Sequence, residues 1–224
     1  MDPHLPESLQ NLDAILADKD PDRWLSSRFV ADPAARADLV ALYSLDNELA
    51  AVSRKVRDPL VAEMRLAWWR EALEGLMARG DTRGHAVLEG LKGVRLPMDT
   101  VASLPDRYIE ALDPPADDEA LLARIDETDG VVMALAALRL HPDARVEQVA
   151  DAARALRLAR SGQADRAAVA DVLKRGQGAL AALPSDAFPA VAHAALARPY
   201  AAGGKPGPLG KRLRMTWAVM TGKL

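Results

Sequence analysis

Apolar residues recur every three or four positions over most of this chain, which is the spacing of amphipathic helices. Asp32 and Pro33 supply an N-cap and a first-turn proline for one such helix. Asp58 and Pro59 repeat the signal for the next helix, which ends before Gly80. The predicted helices are 33–56, 59–79, 85–96, 100–112, 117–140, 146–160, 164–183, 184–197 and 209–220.

No segment alternates apolar and polar residues as a half-buried strand does, and no unit repeats at a fixed period. A length of 224 residues suits one hydrophobic core. The sequence therefore predicts an all-α helical bundle, with residues 1–224 in a single domain. We expect the large side chains to anchor its packing, and these are Trp24, Phe29, Tyr43, Trp68, Trp69, Met133 and Trp217.

Composition excludes several classes of protein. The formal net charge of -3 is too balanced for a protein that coats nucleic acid, so no nucleic-acid partner is expected. Because the chain has no cysteine, it has no disulfide, thiolate metal site or cysteine nucleophile. Residues 1–4 lack the character of a secretory signal, and the longest apolar run, 131–138, is too short to cross a bilayer. These features favour a reducing compartment such as the cytoplasm.

Common catalytic and metal-binding motifs do not occur in the sequence. The stretch 204–211 has the wrong spacing for a phosphate loop, and Arg212 stands where a magnesium-binding hydroxyl is required. No nucleophile elbow is present. The histidines have no partners at metal-ligand spacing, so we expect no metal site at His4, His85, His141 or His193.

Three segments carry a resemblance to a known family. They are residues 22–29 (DRWLSSRF), 41–45 (ALYSL) and 65–73 (RLAWWREAL). In this order they resemble motifs of the squalene/phytoene synthase family, and the similarity covers most of the chain. The resemblance implies an all-α isoprenoid-synthase bundle around a central cavity. Active members of that family join two prenyl diphosphates with the help of magnesium.

The chemistry of the family needs two clusters of aspartates, because one carboxylate pair is too little charge to gather several magnesium ions and a diphosphate. When the family's first motif is laid on this chain from Tyr43, its three aspartate positions fall on Ala50, Ala51 and Arg54. The first metal-binding motif is therefore lost.

The second aspartate motif is lost as well. Residues 155–160 resemble its beginning, but Arg157 and Arg160 replace glutamine and asparagine, and Ala164 stands at the aspartate position. Arginine in place of a carboxylate repels magnesium instead of concentrating it. We therefore expect no metal, no cofactor and no catalytic residue of the usual kind.

One branch of the family shows similar losses, namely the mitochondrial complex I assembly factor and its bacterial relatives. Residues 46–49 and 58–66 resemble that branch, the second segment more specifically. The resemblance implies a non-catalytic accessory protein with a protein partner in respiratory-complex assembly. Two alternatives remain open: a divergent prenyl transferase, and a protein that binds an isoprenoid or another lipid.

Six charged residues are candidates for lining the cavity or binding an anion. The preferred interpretation is that the arginines pair with the aspartates, since buried charges persist when they are paired. The alternative is that the arginines bind an anionic headgroup or a prenyl diphosphate without metal. The six residues are Asp46, Arg54, Asp126, Asp129, Arg157 and Arg160.

The segment 203–224 is basic and contains no acidic side chain. One interpretation is peripheral contact with an anionic membrane, at the inner membrane surface, or with a partner. The preferred interpretation is a last helix that docks Leu213, Trp217 and Met220 on the bundle.

Overall fold

Helices account for most of the chain. The structure is a computed structural model that describes residues 7–162 and 164–224, and it is 77% helical. Because no strand occurs within these two ranges, the predicted all-α fold class is confirmed. None of the described helices is both long and apolar enough to cross a membrane. His4 and the rest of the segment 1–4 lie outside the described residues.

The described chain forms two compact units. The first contains the described residues up to Trp24 together with Asp32–Ala120. Its helices are α1 (Glu7–Lys19), the beginning of α2 (Pro21–Ser27), α3 (Pro33–Lys55), α4 (Pro59–Arg79), α5 (Ala86–Leu91), α6 (Met98–Ala102) and α7 (Leu104–Glu110). Helix α3 packs against α1, α4, α5 and α7 and supplies much of this unit's buried apolar surface.

The predicted capping signals explain where α3 and α4 begin and end. The Asp32 carboxylate accepts two backbone N–H groups of the first turn of α3, at 3.0 and 3.2 Å. Asp58 caps α4 in the same way, at 3.0 Å. Gly80, with φ at 66°, adopts the left-handed conformation that ends α4. Both helices thus agree with the sequence prediction to within one residue.

The second unit contains Leu25–Ala31 and Leu121–Leu224. Its elements are most of α8 (Asp118–Ile125), a π turn (Asp126–Gly130), α9 (Val131–Leu140), α10 (Val146–Ser161), α11 (Arg166–Ala181), two 3₁₀ turns (Ser185–Ala190 and Ala192–Leu196), α12 (Ala197–Ala201) and α13 (Pro208–Thr221). Helices α10 and α11 approach closely at Gly176, where a Cβ would lie 2.5 Å from the Asp151 Cβ. The single-domain organisation and the central cavity stay predictions.

Several predicted elements differ from those observed. The segment 100–112 is two short helices that meet at Ser103, ahead of Pro105. The segment 184–197 is mainly 3₁₀, since Pro189 has no N–H for an α-helical bond. Helices α1 and α2 were not predicted. Helix α2 nevertheless begins with the signal seen at α3 and α4, since Asp20 precedes Pro21 and its Oδ1 accepts the backbone N–H of Arg23 at 3.2 Å.

The prediction of core anchors is wrong for two residues. Trp68 is partly exposed, and Trp217 is 54% exposed. The docking of Leu213, Trp217 and Met220 on the bundle is also wrong, since all three side chains are exposed. Tyr43 and the other expected anchors are buried or half-buried.

Candidate functional site

Asp46 is a buried acid on α3, and the side chains that contact it, described next, lie in the same unit. The guanidinium of Arg23, on α2, donates from Nη1 to Oδ2 of Asp46. The hydroxyl of Tyr108, on α7, donates to Oδ1 at 2.5 Å. Arg23 is also held by Asp20, whose Oδ2 lies 3.6 Å from Nε. Both oxygens of Asp46 are therefore engaged by protein groups, which offsets the cost of burying the charge.

An aromatic ring completes this first cluster. The guanidinium carbon of Arg23 lies 5.3 Å from the centre of the Tyr43 ring, in a cation–π arrangement. Burial raises the pKa of the Tyr43 hydroxyl well above its ordinary value. Tyr43 is therefore neutral near pH 7, and the charges of this cluster are those of Arg23, Asp46 and Asp20.

The second cluster lies in the other unit, where the π turn meets α10. Arg154 makes a two-pronged contact with Asp126, from Nε at 2.8 Å and from Nη2 at 2.5 Å. Its third nitrogen donates to Asp151 at 2.9 Å. These hydrogen bonds, above all those to Asp126, raise the pKa of Arg154. The cluster is about two thirds buried, so solvent weakens it more than the first.

The three candidate arginines are more exposed than Arg154. Nε of Arg157 lies 3.8 Å from Oδ2 of Asp129, so the structure brings these two candidates together. Arg160 is exposed at the end of α10. Arg54 is exposed at the end of α3 and forms no ion pair with any described residue.

The sequence did not single out the true partners of two candidates. Asp46 pairs with Arg23 and Asp126 pairs with Arg154, instead of with Arg54, Arg157 or Arg160. Arg23 lies in the segment 22–29 that carries the family resemblance, which was the available signal. Nothing in the local sequence distinguishes Arg154 from the other arginines of α10.

Comparison with known proteins supports the resemblance. The family model for squalene/phytoene synthase matches residues 16–164. The chain therefore belongs to the squalene/phytoene synthase family, whose fold is the all-α isoprenoid-synthase bundle. A comparison with curated proteins and another with solved structures found no match.

The residues of this chain do not fit the magnesium ions that the family implies. Ala50 and Ala51 offer no side-chain ligand at the first motif, and Arg54 brings a positive charge. The carboxylates of Asp46 and Asp126 already accept hydrogen bonds on both oxygens. Among the side chains that the structure describes, in residues 11–162 and 164–224, no three His, Asp or Glu residues gather closely enough to hold a metal ion.

Proposed function

We propose that this chain is a non-catalytic member of its family that acts as an accessory protein and binds a protein partner during assembly of a respiratory complex. The observation that carries the first half of this proposal is the set of side chains at the family's metal-binding positions. Alanine and arginine stand there, and the nearby carboxylates are held by Arg23, Arg154 and Arg157. A site of this kind has no charge to offer to magnesium.

An exposed apolar surface on α4 supports the proposal that the chain binds a protein partner. Leu60 and Met64 are each 65% exposed, and Trp68 extends the same stripe one turn further. The flanking residues are Glu63 and Arg65, so the rim of the stripe carries both signs of charge. Apolar surface within a mixed-charge rim is typical of protein interfaces. The stripe begins within residues 58–66, which are those that resemble the assembly-factor branch.

A turnover assay with labelled prenyl diphosphates and magnesium tests the absence of catalysis. We expect no release of diphosphate and no coupled product, because ionisation of the substrate needs the metal cluster. Conversion above a protein-free control would overturn the proposal and would favour a divergent prenyl transferase.

Binding of farnesyl diphosphate, measured by calorimetry with and without magnesium, tests the anion-binding and isoprenoid-binding alternatives. We expect no saturable heat in either case. Metal-independent binding that disappears in Arg157→Gln would instead favour an arginine site for the diphosphate. Binding that does not change in that variant would favour an isoprenoid or lipid carrier.

The assembly role is tested in the source organism by deleting the gene and measuring the amount of assembled complex I. We expect a loss that the normal gene restores and that the Leu60→Gln/Met64→Gln variant does not. Met77→Gln is the matched control, because Met77 is exposed on another face of α4 and should restore assembly fully. Normal complex I in the deletion strain would contradict the assembly role.

A further inference from the structure

Helix α13 has apolar side chains on two opposite faces. It packs against the 3₁₀ turn Ala192–Leu196, and its Met215 and Ala218 are fully buried. At 3.6 residues per turn, the opposite face lies about 170° away and holds a second apolar stripe. The members of this stripe are Leu209, Leu213, Trp217 and Met220, with exposures of 71%, 62%, 54% and 80%.

Exposed cations lie on both sides of this stripe. Arg212 and Arg214 project about 100° to either side of its centre. Lys211 is placed further back, with its ammonium 5.8 Å from the centre of the Tyr200 ring. An apolar stripe between two rows of cations is the pattern of helices that lie in the plane of a membrane interface. Arginine suits the flanks, because its stem lies on apolar surface while its charged end reaches the headgroups.

The part of the sequence around α13 is positively charged, like the flanks of the stripe. After Asp186 the sequence contains no acidic residue, although the chain as a whole has 32 of them. Six of the 29 cationic residues lie in this acid-free part. They are Arg198, Lys205, Lys211, Arg212, Arg214 and Lys223. A chain with a net charge of -3 thus concentrates positive charge around one exposed apolar face.

A cavity beside α13 adds a place for a single lipid headgroup. It has a volume of about 340 Å³ and is lined by Leu213 and Trp217 on the apolar side. Arg198 and Arg214 also line it. Two guanidinium groups next to an apolar wall suit a phosphate that is attached to acyl chains, because arginine binds phosphate through paired hydrogen bonds.

We propose that the exposed face of α13 docks on an anionic membrane surface, with its apolar stripe among the acyl chains and its arginines among the headgroup phosphates. The helix then lies parallel to the membrane plane and anchors the second unit from one side. This inference does not depend on the assembly role and would hold for any function of the family member.

The comparable stripe on α4 favours a different occupant. Leu60 and Met64 are about as exposed as Leu213, and the geometry of the two stripes is alike. The flanks of α4, however, carry Glu63 as well as Arg65, and an acid next to an anionic surface is repelled. The two stripes therefore form a matched pair, in which apolar exposure is similar and the charge of the rim differs.

Sedimentation with vesicles tests the proposal. The full chain is mixed with vesicles of phosphatidylcholine alone or of phosphatidylcholine with phosphatidylglycerol, and the bound fraction is measured. We expect binding to the anionic vesicles that weakens as salt is added, and roughly 30-fold weaker binding for Arg212→Gln/Arg214→Gln. Leu213→Gln/Met220→Gln should also lose binding, although it keeps the charge. Leu60→Gln/Met64→Gln is the matched control and should bind like the unchanged chain.

Four outcomes would overturn the proposal. They are no binding to anionic vesicles, equal binding to neutral vesicles, unchanged binding by both α13 variants, and an equal loss in the α4 control. Circular dichroism verifies that each variant is folded. If Leu213→Gln/Met220→Gln does not fold, the Arg212→Gln/Arg214→Gln variant still tests the proposal.

Sedimentation equilibrium tests whether a second copy of the chain occupies this face instead. A dimer that Leu213→Gln/Met220→Gln dissociates, without vesicle binding, would assign the face to self-association instead.

Discussion

The two acid–arginine clusters use the same chemistry in different surroundings. In the first unit, Asp46 is 3% exposed and both of its oxygens are held. In the second unit, Asp126 and Arg154 are about two thirds buried and form a two-pronged pair. A buried charge that loses its partner costs several kcal/mol, whereas a solvated one is screened by water. We therefore expect burial, more than the number of hydrogen bonds, to decide what each pair contributes to stability.

The largest effect is expected for Asp46→Ala. The substitution removes the Asp46 partner of the buried Arg23, leaves Asp20 at 3.6 Å from its Nε, and removes the acceptor of the Tyr108 hydroxyl. We expect a loss of about 3–5 kcal/mol in the free energy of unfolding. Urea denaturation followed by circular dichroism measures it. A loss below about 1 kcal/mol would show that the buried cluster is no more important than the half-exposed one.

A smaller effect is expected for Gly176→Ala, which disturbs the second cluster through its backbone. The new Cβ would lie 2.5 Å from the Asp151 Cβ, so α10 and α11 must move apart. We expect a loss of about 1–3 kcal/mol, measured in the same denaturation experiment.

Gly178→Ala is the control, because nothing lies within 4 Å of a Cβ at that position of α11. It should raise stability by up to about 1 kcal/mol, since alanine favours a helix over glycine. Equal effects of the two substitutions would show that the close approach at Gly176 is unimportant.

The smallest effects are expected for the arginines of α10. Arg154→Gln removes the two-pronged pair and should cost about 1 kcal/mol, less at high salt. Arg157→Gln breaks a longer contact of 3.8 Å and should change stability by less than about 0.5 kcal/mol. Thermal unfolding at low and high salt measures both. A larger loss for Arg157→Gln than for Arg154→Gln would reverse the order that geometry predicts.

Local signals in the sequence were sufficient to predict α3 and α4 and insufficient to predict which residues form ion pairs. Asp32, Asp58 and Gly80 act on their own helix, so their roles could be predicted from neighbouring residues alone. The partner of Asp46 lies 23 residues away and its second donor lies 62 residues away, so these contacts depend on packing. The prediction that Trp217 is a core anchor failed for a related reason. Periodicity identifies an apolar face of a helix but does not show what covers that face.

The same distinction applies to the two metal-binding motifs. The sequence alone predicts their absence, because Ala50, Ala51 and Arg54 stand where the family pattern has aspartates. The structure adds that Asp126 and Asp129 pair with Arg154 and Arg157 of α10. The family was predictable from motifs, while the pairing of Asp126 with Arg154 was not.

The π turn has a consequence for how this part of the chain can change in evolution. The backbone N–H of Val131 donates to the carbonyl of Asp126, five residues back, so the turn holds one residue more than an α-helical turn. Because the five residues of this turn cover about the same rotation as four residues of an α-helix, deleting one residue from Asp126–Gly130 would restore an α-helix with α9 in nearly the same register. Val132 and Ala136, which are fully buried, would then keep their neighbours. Relatives that lack one residue of this turn should therefore be able to keep the packing of α9.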